Sequence, residues 1–360
     1  MRITQSMLSN NSLRHLSESY KRMQTYQDQL NTGKKITKPS QDPVVAMKGI
    51  RYRTEVTETR QYLERNLSQV YSWVENSDTS LDKVGATLSR MRELTVQASN
   101  DTYEANQRRA ISDEVSQLIE HVGTITNTKV NNQYIFNGTD TITQPYNSEE
   151  VFVDHADYGT FAPEDIAIGY DGESYFYDGA GLYVGKDDPS KTIAFDGTNF
   201  VDQAGAVLEE DETILMQKNM LPSNNESVEI EIMKGISLGV NIRPQDVFTP
   251  AFFGDMKVLL NKLESGESNE ELSPFLSKLD RHMDAFVAER ANIGAKYNRV
   301  EMIETRLSEQ EVTATRVMSE NEDIDAERVI IDMLSEETLL RATLSTSARI
   351  IQPTLMDFLR

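Results

Sequence analysis

The residue types that carry most enzymatic and metal chemistry are sparse in this chain of 360 residues. It contains no cysteine, which excludes disulfides, thiolate nucleophiles and Cys-ligated zinc or iron–sulfur centres together. The four histidines, His15, His121, His155 and His282, fall in separate segments and read as solvated or packed side chains. No G-x-S-x-G, P-loop or strand-borne G-x-G-x-x-G is present. Gly179-Ala-Gly-Leu-Tyr-Val-Gly185 lacks the following helix that a phosphate loop needs, and reads as a β turn. Asp171-Gly-Glu173 and Asp187-Asp188 do not follow EF-hand spacing, so solvated acidic loops are the simpler reading. The sequence predicts no catalytic residue, no cofactor and no metal site, and so not an enzyme.

The elements that position these residues come in two kinds. Proline is absent between Pro43 and Pro145 and again between Pro274 and Pro353, and Gly294 is the only glycine from Pro274 onward. Tracts this free of the strongest helix breakers can form long helices. In the first, Leu67, Val74, Leu81, Leu88 and Thr95 recur every seven residues beside Leu63, Val70, Ser77, Val84, Met91 and Ala98, the two rows of a long packed helix. A break at Ser99-Asn-Asp101 precedes a second helix through Ile111, Val115, Leu118, Val122 and Ile125. In the second tract, Leu279, Phe286, Ile293, Val300, Leu307 and Ala314 form one seven-residue row. It turns polar at Asn321 and resumes in a shifted frame at Ile324 and Ile331.

The middle differs. Residues 146–200 hold eleven of the 26 Phe and Tyr, in short runs bounded by Gly and Asp, a strand-and-turn signature. Segment 140–250 carries 22 Asp plus Glu against 5 Lys plus Arg, a balance of −17 out of the chain's −22. Most of Tyr170–Tyr183 is expected to form a small core, and the acidic domain to face outward. The overall charge argues against nucleic acid and anionic membranes as partners. No run nears the roughly 18–20 apolar residues that span a bilayer, and the N-terminus carries no secretory h-region.

The two ends match each other. Leu13, Leu16, Tyr20, Met23, Gln27 and Leu30 alternate by three and four, as do Leu340, Leu344, Ser347 and Ile351, followed by Leu355 and Phe358. Each strip is too narrow to bury itself alone, so the N-terminal helix is expected to pack on the C-terminal one. Gly33 ends the first helix in a left-handed conformation. Asp42 caps the next, with Pro43 at its first position. Between them, Lys34 to Gln41, including Pro39, is expected to be an extended spoke joining two helical layers.

The fold class predicted is mainly α with a β-rich insertion: a long antiparallel helical bundle or coiled coil from both termini, plus a central β domain. The predicted domains are 1–42 with 320–360, a terminal coiled coil; 43–139 with 251–319, a long-helix bundle; and 140–250, the acidic β-rich domain.

Several segments carry a family resemblance. Gln29-Leu-Asn-Thr-Gly-Lys-Lys-Ile36 resembles the Q-L-S-S-G-x-R-I element of the flagellin superfamily. Lys38-Pro39-Ser-Gln-Asp42-Pro43 is similar to the K-P-S-D-D-P form of its hook–filament junction branch. Leu94-Thr-Val-Gln-Ala98, Tyr134-Ile-Phe-Asn-Gly-Thr139, Arg290-Ala-Asn-Ile-Gly-Ala-Lys-Tyr-Asn-Arg299 and Ser319-Glu-Asn-Glu-Asp-Ile-Asp-Ala326 resemble further elements of the family. The ending Ile351-Gln-Pro-Thr-Leu-Met-Asp-Phe-Leu359 is similar to that of the junction branch. Gln41 stands where the family usually has Asp, so any capping role passes to Asp42. The resemblance implies a structural subunit of the extracellular bacterial flagellum, exported unfolded through the type III channel. The partners it implies are flagellin, the hook-proximal junction protein, ring neighbours and an export chaperone on the C-terminal segment. The alternatives are a flagellin filament subunit, or an adhesin that uses exposed aromatics of the insertion.

Overall fold

The computed structural model describes residues 5–99, 105–266 and 269–351. Its contacts divide the chain into two compact units, Met1–Gln61 with Arg306–Arg360, and Tyr62–Thr305. The helices are α1 (Gln5–Thr32), α2 (Pro43–Gln61), α3 (Leu67–Ala98), α4 (Ala105–Thr126), α5 (Pro250–Ser265), α6 (Asn269–Glu322) and α7 (Ala326–Ile351). A π-helical turn, Tyr62–Asn66, separates α2 from α3. With 54 residues, α6 is about 80 Å long at 1.5 Å per residue. No helix of the described residues is long and apolar enough to cross a membrane. The fold is mainly α with terminal helices and a central antiparallel β domain, the class expected from the sequence.

In the 62–305 unit, the apolar rows read from the sequence become the core. All of Leu67, Val74, Leu81, Leu88 and Thr95 are buried, and so are Val70, Ser77, Val84, Met91 and Ala98. Leu63 falls in the π turn and is half-buried. Leu279, Phe286, Ile293 and Val300 bury their side chains on α6. α3 and α6 run antiparallel, stitched by Arg92–Asp280 (2.6 Å), Arg290–Asp78 (3.0 Å) and Arg290–Asp82 (2.7 Å). Thr249 caps α5 by accepting from Phe252 N at 3.1 Å, Pro250 occupies its first turn, and left-handed Gly266 ends it.

The strands among the described residues are β1 (Lys129–Val130), β2 (Gln133–Tyr134), β3 (Phe152–Val153), β4 (Ile166–Tyr170), β5 (Glu173–Tyr177), β6 (Leu182–Gly185), β7 (Thr192–Phe195), β8 (Phe200–Asp202), β9 (Ile214–Gln217), β10 (Glu229–Met233) and β11 (Ile236–Gly239). β1–β2 and β10–β11 are isolated hairpins, and the other seven form one antiparallel sheet in the order β3-β9-β4-β5-β6-β7-β8. Ile166 and Ile168 of β4 enter a core with Tyr158, Tyr175, Tyr183, Phe200 and Leu215. On the other face, α5 covers the sheet, and Ala251 N donates to Ser174 Oγ at 2.9 Å. The expected aromatic core is therefore real: Tyr175 and Tyr183 are buried, with Tyr170 and Tyr177 packed against them.

In the other unit, α1 ends at Thr32 and Gly33 takes φ +68°. Left-handed backbone is costly for any residue with a Cβ, most of all a β-branched one. Gly33→Val is therefore expected to lower the stability of this unit by about 1–2 kcal/mol, measured by urea unfolding. Asp42 caps α2, its Oδ1 accepting from Val44 N (2.9 Å) and Val45 N (3.1 Å).

The stretch between them is not the extended spoke expected from the sequence. Residues 37–41 close into a turn, with Gln41 N donating to Lys38 O at 3.0 Å and Pro39 at the position that favours a fixed φ. Gln41 Oε1 accepts from Thr37 N (2.7 Å), Lys38 N (3.1 Å) and Thr37 Oγ1 (3.3 Å). An amide carbonyl can gather three short-range donors, and that local satisfaction outcompetes an extended chain.

Candidate functional site

The residues singled out in the sequence lie in the unit formed by the chain's two ends. α1 packs along α7. Arg22 Nε and Nη2 donate to Glu336 Oε1 at 3.1 and 2.8 Å, and Arg22 Nη2 also donates to buried Ser19 at 3.2 Å. The Arg22 hydrogen bond, helped by Ser19, holds the Glu336 carboxyl below its ordinary value.

Of the predicted strips, Leu340 is buried, while Leu16, Met23 and Leu30 are half-buried. Leu13 and Tyr20, each 55 % exposed, and Leu344 face solvent. Ile351 is the last residue of α7, and Leu355 and Phe358 lie outside the described residues.

Sequence reading missed the joint that holds the α1–α2 loop. Where α6 gives way to α7, Lys34 and Asp323 form an antiparallel bridge: Lys35 N donates to Glu322 O (2.7 Å) and Ile324 N to Gly33 O (3.1 Å). Glu322, with its side chain 5 % exposed, receives Arg53 through Nε–Oε1 (2.7 Å) and Nη2–Oε2 (2.8 Å), and Lys34 Nζ at 3.3 Å. Lys34 Nζ also reaches Asp323 at 2.6 Å, and Lys35 Nζ donates to Glu320 O. Asn321 Nδ2 donates to Val45 O at 3.1 Å, and Arg60 meets Glu311 at 2.6 Å, so α2 lies against the last turns of α6.

Gly49 makes that approach possible, since a Cβ there would stand 2.5 Å from Glu322 Oε1. Lys38, Pro39, Ile36, Val45 and Ile50 border a cavity of about 250 Å³ beside the ion pairs.

This arrangement binds and packs. The charged groups here are engaged as structural ion pairs, and among the described residues no set of three or more His, Asp or Glu is disposed to hold a metal. The buried His282–Asp255 pair (2.8 Å), with Lys278 at 3.5 Å from Asp255, fastens α5 to α6 in the other unit.

The apolar balance of the end-to-end unit is unusual. Among its described residues, only Val56, Leu307, Ala314 and Leu340 are buried apolar side chains. Twelve large ones stand exposed: Met7, Leu13, Tyr20, Val44, Met47, Ile50, Val312, Ile330, Ile331, Leu334, Leu339 and Leu344. The sequence strips signalled α1 and α7, and Ile331 was noted there as the resumption of the shifted row. Val44, Met47 and Ile50 sit beside lysine and arginine without a clean periodicity, and gave no such signal.

Residues 3–141 match the model of the bacterial flagellin N-terminal helical region. The chain is also 26 % identical over 153 residues to flagellar hook-associated protein 3 of Escherichia coli (strain K12), covering 42 % of this chain and 47 % of that protein. Over its N-terminal part the chain is thus similar to the helical region of flagellin-superfamily proteins. A flagellin of Clostridium tyrobutyricum is 29 % identical over 140 residues, covering 39 % of this chain and 37 % of that flagellin. The chain thus spans less than half the length of these curated relatives. Among solved structures, a Vibrio parahaemolyticus protein described as flagellar hook-associated aligns with TM-score 0.55 at 16 % identity. That alignment covers 79 % of this chain and all of the other, which is a likeness of fold.

Proposed function

We propose that this chain is a structural subunit of the bacterial flagellum that joins hook to filament, outside the cell, by packing its two terminal helices beside neighbouring subunits. The observation that carries the reading is the apolar balance of the end-to-end unit. Among its described residues this unit buries four apolar side chains and exposes twelve large ones, a balance that favours cover by other subunits. The match of residues 3–141 to the flagellin N-terminal helical region supports the flagellar setting, and the likeness to the E. coli hook-associated protein 3 supports the hook-associated branch. On this reading the contacts are with flagellin on one side, the hook-proximal junction protein on the other, and ring neighbours between. Export would be unfolded, with a chaperone on the C-terminal segment.

We further propose a three-part division of labour: 1–42 with 320–360 for assembly, 43–139 with 251–319 as a supporting bundle, and 140–250 as an acidic outer domain. The terminal strips Leu13, Leu16, Tyr20, Met23, Leu30, Leu340 and Leu344, together with Ile351, Leu355 and Phe358, would make the subunit contacts. Gly33, Pro39, Asp42 and Pro43 would shape the loop that positions them.

A chain lacking residues 1–30 is expected to lose association entirely while Tyr62–Thr305 keeps its circular dichroism and melting transition. Normal association of that deletion would refute the role assigned to the ends. The C. tyrobutyricum flagellin match favours a second reading, a filament subunit. Electron microscopy separates the two, because a junction subunit forms short rings or caps, and a flagellin grows long filaments alone.

A further inference from the structure

One surface of the 62–305 unit has no role in what precedes. Along the antiparallel pair of α3 and α6, each helix presents a tyrosine and, one turn later, a glutamate: Tyr71 and Glu75 on α3, Tyr297 and Glu301 on α6. The two rings meet edge to face, with centroids 5.3 Å apart. With Leu63, Ser68 and Glu304 they border an open groove of about 410 Å³. The Tyr71 hydroxyl donates to Glu304 Oε2 at 2.5 Å, whereas Glu75 and Glu301 have no cationic partner among the described residues. Three carboxylates beside two ring faces repel anions and suit a cation with a flat apolar body, above all a guanidinium.

The same chain carries the complementary surface. The first half of α2 exposes Val44, Met47 and Ile50 at 57–69 %, next to Lys48 and Arg51, which have no acidic partner among the described residues. Met47 and Arg51 are four residues apart and share one face. In a chain of net charge −22, two copies carry a net repulsion that a specific contact must offset. A contact that sets a basic, apolar face into an acidic, aromatic groove is attractive and selects one register.

We propose that the Tyr71–Tyr297 groove receives the Met47–Arg51 face of α2 from a second copy of this chain, with the Arg51 guanidinium over a tyrosine ring between Glu75 and Glu301. This rests on the self-assembly reading above, and names one of the contacts it requires.

The absence of cysteine makes the test clean. Arg51→Cys and Glu301→Cys chains with different tags are mixed under assembly conditions and mildly oxidised. Disulfide heterodimers are expected several-fold above those from an Arg51→Cys and Glu93→Cys mixture, Glu93 being an exposed α3 residue away from the groove. In parallel, Arg51→Glu and Glu301→Arg should each weaken association about tenfold, and their combination should restore it. Wild-type assembly with no cross-link above the control, and indifference to charge reversal, overturns this inference and leaves the assembly reading standing. A wild-type chain that never associates overturns both.

Discussion

Phe252→Ala is expected to destabilise the Tyr62–Thr305 unit by about 3–5 kcal/mol and to lower its melting temperature by roughly 10 °C. The Phe252 side chain is fully buried, and it is the common neighbour of several rings. Phe253 lies 5.2 Å from it, Phe286 of α6 5.3 Å, the His282 imidazole 5.3 Å and Phe248 6.2 Å. The cluster extends through Phe253 to Tyr146 (4.5 Å, stacked) and through Phe248 to Phe136 (5.1 Å). A truncated ring here leaves a cavity that its four rigid ring neighbours cannot fill, so the cost exceeds transfer alone. It also frees one face of His282, whose bond to Asp255 is buried. Thermal unfolding by circular dichroism measures the effect, and a loss under 1 kcal/mol would show that the cluster does not hold α5 to α6.

Glu322→Gln is expected to cost the end-to-end unit about 2 kcal/mol at neutral pH, the scale of charge-assisted hydrogen bonds lost from a shielded carboxylate. Arg53 is 62 % exposed, so its share is screened by solvent and the figure stays below that of a fully buried pair. The same residue gives a pH dependence of definite sign. Burial pushes the Glu322 carboxyl up, but hydrogen bonds from Arg53 and Lys34, with their charges, outweigh it and hold the group below its ordinary 4.5. Asp323 is lowered chiefly by the Lys34 hydrogen bond and then by Ser319, and Glu336 by Arg22.

A carboxyl depressed in the folded state contributes stability that is fully present above its unfolded value. That stability is lost as pH falls through the lower folded value. The unit is therefore expected to weaken progressively below about pH 4.5, whereas these three groups add no dependence above neutrality. Urea unfolding between about pH 3 and 7 checks both statements. The Glu322→Gln chain should begin weaker and lose less in acid, and an equal acid loss in the two chains would contradict the assignment.

Much of the helical architecture was legible because its signal is local. The seven-residue rows through Leu67–Thr95 and Leu279–Ala314 are buried almost residue for residue, since helical periodicity alone decides which face is apolar. The polar break near Asn321 marks the real end of α6 at Glu322. Helix α5 had its punctuation in plain view, Thr249-Pro250 before it and Gly266 after it, yet its apolar residues lie all round and gave no stripe.

What could not be read depends on partners distant along the chain. The insertion of β9 between β3 and β4 places residue 216 beside residues 152 and 167, and no local pattern specifies that pairing. The Arg53–Glu322 and Lys34–Asp323 bonds join residues 269 and 289 positions apart. At the candidate assembly surface, strip periodicity pointed to α1 and α7. Only packing reveals that Val44, Met47 and Ile50 of α2 are also uncovered.

The Lys34–Gln41 loop is latched twice, by groups that answer to different solvents. Its inner latch is the Gln41 amide, which has no proton to gain or lose in the ordinary range and no charge for salt to screen. Its outer latch is in part ionic, so acid and brine weaken it while the backbone bonds of Lys35 N to Glu322 O and Ile324 N to Gly33 O remain. Such conditions would loosen the dock while leaving the turn itself formed, so recovery would require ions to re-pair and no chain to refold. An aspartate at position 41 would instead place a titratable, salt-screened group in the inner latch as well.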